Sequence, residues 1–190
     1  MQEALIFLFR SLLELYILTF VLRLILQAVR ADFRNPISQF VLKVTDPLVV
    51  PLRRVMPSVG MLDTATILVA LVLQGLLMAA LLNLACITGP GLLQLVGLSF
   101  ARLVELILNI YFWMILAFVV ASWISPGQYH PMVHLLGQIV EPVLRPFRKL
   151  IPPIAGLDLS PIVLILVTQF LIRLIPTRQL LGGLVCGAVI

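Results

Sequence analysis

Acidic and basic residues are rare in this chain, and many of them recur in one spaced pattern. The segment from Asp46 to Asp63 reads Asp-Pro-x3-Pro-x-Arg-Arg-x2-Pro-x5-Asp, and the segment from Glu141 to Asp158 reads Glu-Pro-x3-Pro-x-Arg-Lys-x2-Pro-x5-Asp. Carboxylates and bases at these spacings can form ion pairs or contact lipid headgroups. No Gly-rich phosphate loop, Cys-x-x-Cys-His haem attachment sequence or nucleophile elbow accompanies them. The pattern therefore predicts a binding or structural role and no enzymatic activity.

The two segments are related by a shift of 95 positions without gaps. The loop-motif residues that this shift superposes are Asp46 on Glu141, Pro47 on Pro142, Pro51 on Pro146, Arg53 on Arg148, Arg54 on Lys149, Pro57 on Pro152 and Asp63 on Asp158. Apolar composition alone would not align prolines, acids and bases together. We therefore predict two tandem copies of one unit, at residues 1–95 and 96–190.

Four bases of the motif are candidates for contact with lipid or with a partner. They are Arg53, Arg54, Arg148 and Lys149. At headgroup depth, each base near anionic lipid contributes about 1 kcal/mol to binding. Anchoring to anionic headgroups is the favoured interpretation, and a specific ligand, another membrane protein or a second copy of the chain is the alternative. Nothing in the pattern directly indicates nucleic acid binding.

Each copy ends its motif with an aspartate just before an apolar segment. A structural helix cap is the simplest role for Asp63 and Asp158. In the second copy we expect Ser160 to be the N-cap and Pro161 to take the first helical position. A sharper hypothesis pairs each aspartate with the arginine ten residues before it, as a clasp that holds the loop shut.

Ionisable residues inside apolar segments are costly and are therefore functional candidates. Arg10 and Glu14 lie four residues apart, which allows them to pair on one helix. Arg102 and Glu105 lie three residues apart and can do the same. The shift of 95 also places Arg10 on Glu105, so the alternative is that these two residues meet across a pseudo-twofold axis.

Three further polar residues lie deep in apolar segments, and they are Arg23, Gln74 and Gln169. Arg23 has no acid within a helical turn. Gln74 and Gln169 are equivalent under the shift and could hydrogen-bond between the copies. The three residues either line a polar path or join helices.

The histidines and cysteines give little support to a metal or cofactor site. His130 and His134 are four residues apart, a spacing that can bring two imidazoles to one metal. No carboxylate lies beside them, and the first copy has no matching pair. Cys86 and Cys186 lie in apolar surroundings that are typical of packing. We therefore predict no metal and no cofactor.

The composition indicates a membrane protein. Hydrophobic residues make up 62% of the chain and charged residues 11%, against about 45–50% and about 25% in soluble domains. Four segments approach the roughly 20 apolar residues that cross a bilayer. They are Ala4 to Val29, Thr64 to Ile87, Leu98 to Ile124 and Ser160 to Ile175. The predicted fold class is an all-α membrane protein with four transmembrane helices in two parallel tandem repeats.

Basic residues predict the orientation of these spans. The two motif loops, residues 30–63 and 125–158, hold eight of the 13 Lys and Arg residues, whereas the connector at 89–97 holds none. By the positive-inside rule, the loops lie on the cytoplasmic side of a bacterial inner membrane and both termini lie outside.

Each motif loop is predicted to begin with an amphipathic helix that lies in the headgroup region or packs on the spanning helices. Its apolar face is Ile37, Phe40, Val41, Val44, Leu48, Leu52 and Val55 in the first loop, and Met132, Leu135, Leu136, Ile139, Val143, Phe147 and Leu150 in the second. Proline lacks an amide donor and clashes with the preceding turn. We therefore expect the helices to end near Thr45 and Val140, with Pro-kinked segments after them.

The doubled motif resembles the YggT family, whose plastid and Gram-positive relatives include YlmG-type proteins. The resemblance rests on the segment from Asp46 to Asp63 and its copy from Glu141 to Asp158, and it covers nearly the whole chain. It implies a small multi-spanning membrane protein that is not a known enzyme. Relatives are connected with cell division or organelle nucleoid partitioning, with tolerance of osmotic stress and, in plastids, with haem maturation of cytochrome b6f.

The leading hypothesis for function is a non-enzymatic membrane scaffold or assembly factor, related by resemblance to the cell envelope, division or osmotic stress. An oligomeric transporter or channel for ions or osmolytes is the alternative, and a haem or cytochrome maturation factor is third. The first two differ in whether Arg23, Gln74 and Gln169 face a watered cavity or a dry helix interface.

Overall fold

The computed structural model describes residues 2–32, 35–56, 63–85, 91–124, 131–150, 158–175 and 177. Within these ranges the chain forms six α-helices. They are α1 Gln2–Ala28, α2 Pro36–Arg53, α3 Thr64–Ala85, α4 Leu92–Ile124, α5 Pro131–Leu150 and α6 Ser160–Leu174. Several sequence predictions lie outside the described residues. These concern Pro57, Pro152, His130, Cys86, Cys186 and the chain beyond 177.

Three of the helices are long and apolar enough to cross a membrane. The candidate spans are Ala4–Ala28 in α1, Thr64–Asn83 in α3 and Leu92–Ile124 in α4. The fourth predicted span corresponds to α6, which is apolar but has only 15 residues. The chain is therefore an all-helical protein with three helices of membrane-spanning character among the described residues.

The helix α4 joins the two halves of the described structure. It packs against α1 and α3 from the first half and against α5 and α6 from the second. The contact between α3 and α4 is close at Gly75, where an added Cβ would lie 3.5 Å from the Ser99 Oγ. The largest buried apolar side chains in these interfaces are Ile17, Phe20, Leu77, Met78, Leu82, Leu98, Ile115, Ile139 and Leu144. The contacts of α4 therefore connect the two halves of the described structure.

The start of α4 differs from the sequence prediction. We expected a connector as far as Gly97 and a helix from Leu98, whereas α4 begins at Leu92. A glycine costs only about 1 kcal/mol in a helix interior. The apolar residues before Gly97 have good helix propensity, so the helix runs through it.

The prolines of α2 and α5 also behave differently from the prediction. Both helices continue past the expected ends, through Pro47 and Pro51 to Arg53 in α2, and through the equivalent prolines to Leu150 in α5. Each proline removes one backbone hydrogen bond. The two prolines of each helix lie four residues apart on its exposed face, where water can bond the freed carbonyls. The predicted helix ends near Thr45 and Val140 were therefore wrong.

The apolar residues of α2 divide between two faces. Ser38, Val41, Thr45 and Val49 are buried, and α2 packs against α1 and α3. Phe40 and Leu48 remain exposed. The helix therefore packs on α1 and α3 with one face, and its other face is exposed.

The end of α1 is a Schellman motif with an arginine at the position that usually holds glycine. Arg30 has φ 51°, its amide donates to the Gln27 carbonyl and the Ala31 amide donates to the Leu26 carbonyl. For a residue with a Cβ, this left-handed conformation costs roughly 1–2 kcal/mol. With Arg30 in this conformation, the chain turns away from α1 toward α2.

Candidate functional site

A buried arginine joins α1 to α2. Arg23 is 1% exposed, and its Nη1 donates to the Thr45 Oγ1 at 2.6 Å and to the Asp46 Oδ1 at 2.7 Å. The Thr45 hydroxyl in turn donates to the Val41 carbonyl at 2.7 Å. Arg23 has no acid within one turn of its own helix. Its carboxylate partner is therefore Asp46, in the Asp-Pro pair that starts the motif. Arg23 joins helices and does not lie on an open polar path.

The aspartate that ends the first motif completes this group. Asp63 is 3% exposed and lies directly before α3. Its Oδ2 accepts from the Arg53 guanidinium, from the Thr66 hydroxyl and from the Gln27 amide. The Arg23 Nε lies 3.9 Å from the same oxygen. The predicted clasp between Arg53 and Asp63 is therefore confirmed, and it lies against a buried arginine.

Seven residues make up this group, here named the first cluster. They are Arg23, Gln27, Thr45, Asp46, Arg53, Asp63 and Thr66. Burial raises the pKa of the Asp63 carboxyl, but the hydrogen bonds from Arg53 and Thr66 and the charge of Arg53 outweigh it. The pKa therefore lies below the ordinary value of 3.8. The first cluster holds α1, α2 and the start of α3 together through charge.

The second motif forms an open version of the same arrangement. The Arg148 Nη1 donates to both oxygens of Glu141 at 2.8 Å, and its Nε donates to the Asp158 Oδ2 at 2.7 Å. The Arg145 Nε lies 3.8 Å from the Glu141 Oε1. We name these four residues the second cluster. The Asp158 side chain is 35% exposed, so the predicted clasp is present here at the surface.

The charges of the second cluster stabilise one another. Burial lowers the pKa of Arg148, but hydrogen bonds and charge from Asp158 and Glu141 outweigh this and raise it. Burial raises the pKa of Asp158, but hydrogen bonds from Ser160 and Arg148 outweigh this and lower it below 3.8. Both groups are therefore held in their charged forms.

The start of α6 corrects the predicted cap. Leu159 is the N-cap and has no side-chain hydrogen bond. The Asp158 Oδ1 instead accepts from the Ser160 amide at 2.9 Å. The carboxylate takes the capping role because it already lies beside the helix start, where negative charge is favoured.

A cavity of about 600 Å³ lies beside the second cluster. Its lining residues are Val29, Arg30, Phe118, Val133, His134, Gly137, Gln138, Glu141, Pro142 and Arg145. The Gln138 Oε1 accepts from the Asp32 amide at 3.1 Å, which links the end of α1 to α5. No group of three His, Cys, Asp or Glu side chains within the described ranges is placed to hold a metal ion. The cavity combines apolar walls with Arg30, Arg145 and the carboxylate of Glu141.

A second polar layer lies at the level of the spanning helices. The Arg10 Nε and the Glu14 Oε1 are 3.0 Å apart, and the Arg102 Nη1 and the Glu105 Oε2 are 3.3 Å apart. No ion pair joins Arg10 to Glu105, although both residues are described. The predicted contact across a pseudo-twofold axis was therefore wrong, because each charge finds a partner within one turn of its own helix.

These four charges nevertheless line one cavity of about 220 Å³. The other residues around it are Gln74, Met78, Leu106 and Asn109. Gln74 is 6% exposed and forms no hydrogen bond with any other described residue. Gln169 lies half-buried on α6, and the predicted hydrogen bond between Gln74 and Gln169 does not form. Gln74 therefore faces the cavity and does not join the two copies.

The sequence interpretation missed several polar residues of these sites. They are Gln27, Thr45 and Thr66 in the first cluster and Asn109 at the smaller cavity. Gln27 lies four residues after Arg23 and shares its helix face. Thr66 lies three residues after Asp63, at the spacing that a capping side chain reaches. The spacings of Gln27 and Thr66 could therefore have predicted their place in the first cluster. For Asn109, the only such indication was its position four residues after Glu105.

Comparison with known proteins identifies relatives along most of the chain. The family model CCB3/YggT matches residues 2–85 and 98–180. An uncharacterised protein of Pseudomonas aeruginosa is 42% identical over 163 residues, covering 85% of this chain and 83% of its own length. The uncharacterised protein YggT of Escherichia coli K12 is 39% identical over 165 residues, covering 87% and 85%.

A shorter relative matches part of the chain. The uncharacterised protein ycf19 of Guillardia theta is 30% identical over 69 residues, which cover 36% of this chain and 76% of the relative. No solved structure matches the chain. Because the family model covers both halves and the bacterial relatives align over more than four-fifths of the sequence, the chain belongs to the CCB3/YggT family.

Proposed function

We propose that this chain is a non-enzymatic scaffold or assembly factor of the bacterial inner membrane. In this proposal α1, α3, α4 and α6 span the bilayer as two parallel copies, and α2 and α5 lie at its cytoplasmic face. The separate family matches at residues 2–85 and 98–180 support the two copies. The basic residues of the motif loops support the orientation.

One observation carries the proposed surface role. At the ends of α2 and α5, an exposed base is followed by an exposed apolar residue, Arg54 with Val55 and Lys149 with Leu150. Val55 is 81% exposed and Leu150 is 77% exposed. Neither base forms an ion pair with another described residue. A free cation beside an apolar side chain suits a surface that contacts anionic headgroups and the outer part of the acyl chains.

The other two bases predicted to contact lipid have a different role in this proposal. Arg53 and Arg148 are held by the carboxylates of their clusters. They therefore fix the ends of α2 and α5, and the neighbouring Arg54 and Lys149 make the contact. The cavity of about 600 Å³, with Arg30 and Arg145 among its lining residues, adds a concave basic surface on the second half.

Two double variants with the same loss of charge test this assignment. We expect Arg54→Gln with Lys149→Gln to reduce the phosphatidylglycerol retained by protein taken from nanodiscs of mixed phosphatidylglycerol and phosphatidylcholine. Arg53→Gln with Arg148→Gln is the matched control, and we expect it to keep the lipid but lower the melting temperature. Native mass spectrometry counts the bound lipids. Equal lipid retention in both double variants would reassign the exposed bases to a protein partner.

The orientation is testable by cysteine labelling from either side of the membrane. Val55→Cys and Leu93→Cys, in a chain with Cys86 and Cys186 replaced by alanine, place exposed thiols at opposite ends of the spanning helices. We expect position 55 to be labelled from the cytoplasm and position 93 from outside. The reverse result would invert the proposed orientation.

A small transporter or channel is the second candidate, and one observation favours it. Gln74 faces a charged cavity of about 220 Å³ at the depth of the spanning helices. Arg23, by contrast, is sealed in the first cluster. Reconstitution into vesicles followed by ion and osmolyte flux separates the two candidates, because a scaffold gives no flux above that of empty vesicles.

A further inference from the structure

The cavity between α1, α3 and α4 contains both signs of charge. Arg10 and Glu14 come from α1, and Arg102 and Glu105 come from α4. The four groups sum to zero charge. Charged residues at this depth are costly unless they are paired or serve a polar site. Their meeting around one cavity, on two separate helices, goes beyond what the local pairing of each helix requires.

An unused hydrogen-bonding group faces this cavity. Gln74 lines it, is more than nine-tenths buried, and forms no hydrogen bond with another described residue. A buried polar group without a partner costs roughly 1–3 kcal/mol. Water or a bound polar ligand can satisfy the Gln74 amide, and an apolar occupant cannot.

We propose that this cavity binds a small zwitterion. A carboxylate of the ligand accepts from the Gln74 amide, and its ammonium group lies near Glu14 and Glu105. The lining balances its own charges in two ion pairs. A single cation or anion would therefore add an uncompensated charge to the cavity, whereas a zwitterion adds no net charge and complements both signs. The neutral total charge of the lining is the observation that favours this class of ligand.

The size of the cavity limits the ligand further. At about 220 Å³ it is smaller than the roughly 300–1,000 Å³ of sites for drug-sized molecules. A compound of the size of a free amino acid fits this limit. Binding here does not depend on lipid contact by α2 and α5, so either proposal can fail without the other.

A series of ω-amino acids provides a direct test. Glycine, β-alanine and γ-aminobutyrate carry the same two charges at increasing separation, while acetate and methylammonium carry one charge each. We expect at least one member of the series to bind saturably to the full chain in nanodiscs, measured by scintillation proximity with the tritiated compound. Neither single-charge compound is expected to compete at equal concentration. Absence of saturable binding for all three, or equal competition by acetate and methylammonium, would overturn the proposal.

The two glutamines supply a matched pair of variants. Gln74→Leu removes the unpartnered amide, and we expect it to weaken binding by about tenfold or more, the effect of losing one hydrogen bond to a charged group. Gln169→Leu makes the same change at the equivalent position of α6, which does not line the cavity, and should leave binding unchanged. Equal weakening in both variants would contradict the site.

A second variant keeps the proposal testable if Gln74→Leu does not fold. Gln74→Glu preserves the shape of the side chain and adds a negative charge to the lining. We expect it to weaken binding of the zwitterion and to allow methylammonium to compete. Unchanged preference in Gln74→Glu would show that position 74 does not contact the ligand, and the proposed site would be wrong.

Discussion

The first and second clusters are built from equivalent motif residues but differ in burial. Asp63 is 3% exposed, whereas its counterpart Asp158 is 35% exposed. Both accept from an arginine ten residues earlier. The difference is therefore not in the clasp itself, and it accompanies differences at residues outside the motif.

One of these residues is Arg23, and the residue 95 positions later is Phe118. In the first cluster Arg23 binds Asp46 and leaves Arg53 to Asp63. In the second cluster no buried arginine competes for Glu141, which turns to Arg148 instead. Phe118 lies on the wall of the large cavity and packs near Gly137. The exchange of arginine for phenylalanine thus accompanies the change from a cluster with a buried arginine and a buried aspartate to an exposed clasp beside a cavity.

Loss of the buried aspartate tests the comparison most strongly. We expect Asp63→Asn to lower the free energy of unfolding by about 3–5 kcal/mol, because the buried Arg23 then keeps only the half-exposed Asp46 as a counter-charge and Arg53 loses its carboxylate. The same change at Asp158 should cost no more than about 1 kcal/mol, since its partners are half-exposed and hydrated. Equilibrium unfolding in mixed micelles measures both. Equal costs would show that burial does not distinguish the clusters.

Removing the buried arginine should have a smaller effect. We expect Arg23→Met to cost about 1–3 kcal/mol, because Asp63 keeps Arg53, and Asp46 is nearly half-exposed and can be hydrated. Thr45→Val is the graded control, since it removes one hydrogen-bond acceptor of Arg23 and keeps both ion pairs. The same unfolding titration should rank Arg23→Met above Thr45→Val. The reverse order would mean that the hydroxyl, and not the charge, holds α1 to α2.

Acid pH should also affect the stability contributions of the two clusters differently, by less than the substitutions above. The pKa values of Asp63 and Asp158 are both lowered in the fold. Lowered carboxyl pKa values contribute stability that is complete above 3.8 and is lost as the pH falls through the folded-state values. We expect the melting temperature to fall with pH in this range, and Asp63→Asn to remove more of that dependence than Asp158→Asn. If the melting temperature of Asp63→Asn fell with pH as it does in the unchanged protein, a group other than Asp63 would be responsible for the dependence.

Much of the fold could be predicted from the sequence because it depends on local patterns. The apolar runs predicted α1, α3 and α6 to within a few residues, and the spacing of ten residues predicted the clasps of Arg53 with Asp63 and of Arg148 with Asp158. The exposure of the prolines in α2 and α5 could not be predicted in the same way. The exposure of the prolines depends on which helix face packs against the neighbouring helices. Because the prolines lie on the exposed face, both helices continue past the predicted ends.

What the sequence by itself determined is the set of charges, their repeat and the apolar segments that carry them. Only the tertiary structure decided which charges meet. Arg23 and Asp46 are 23 residues apart on different helices, so no periodicity could pair them. Arg10 and Glu105 share a repeat position, yet each pairs on its own helix, because a partner one turn away needs no precise approach of a second helix. The physical reason is that local spacing fixes contacts within a helix, whereas contacts between helices depend on how their faces pack.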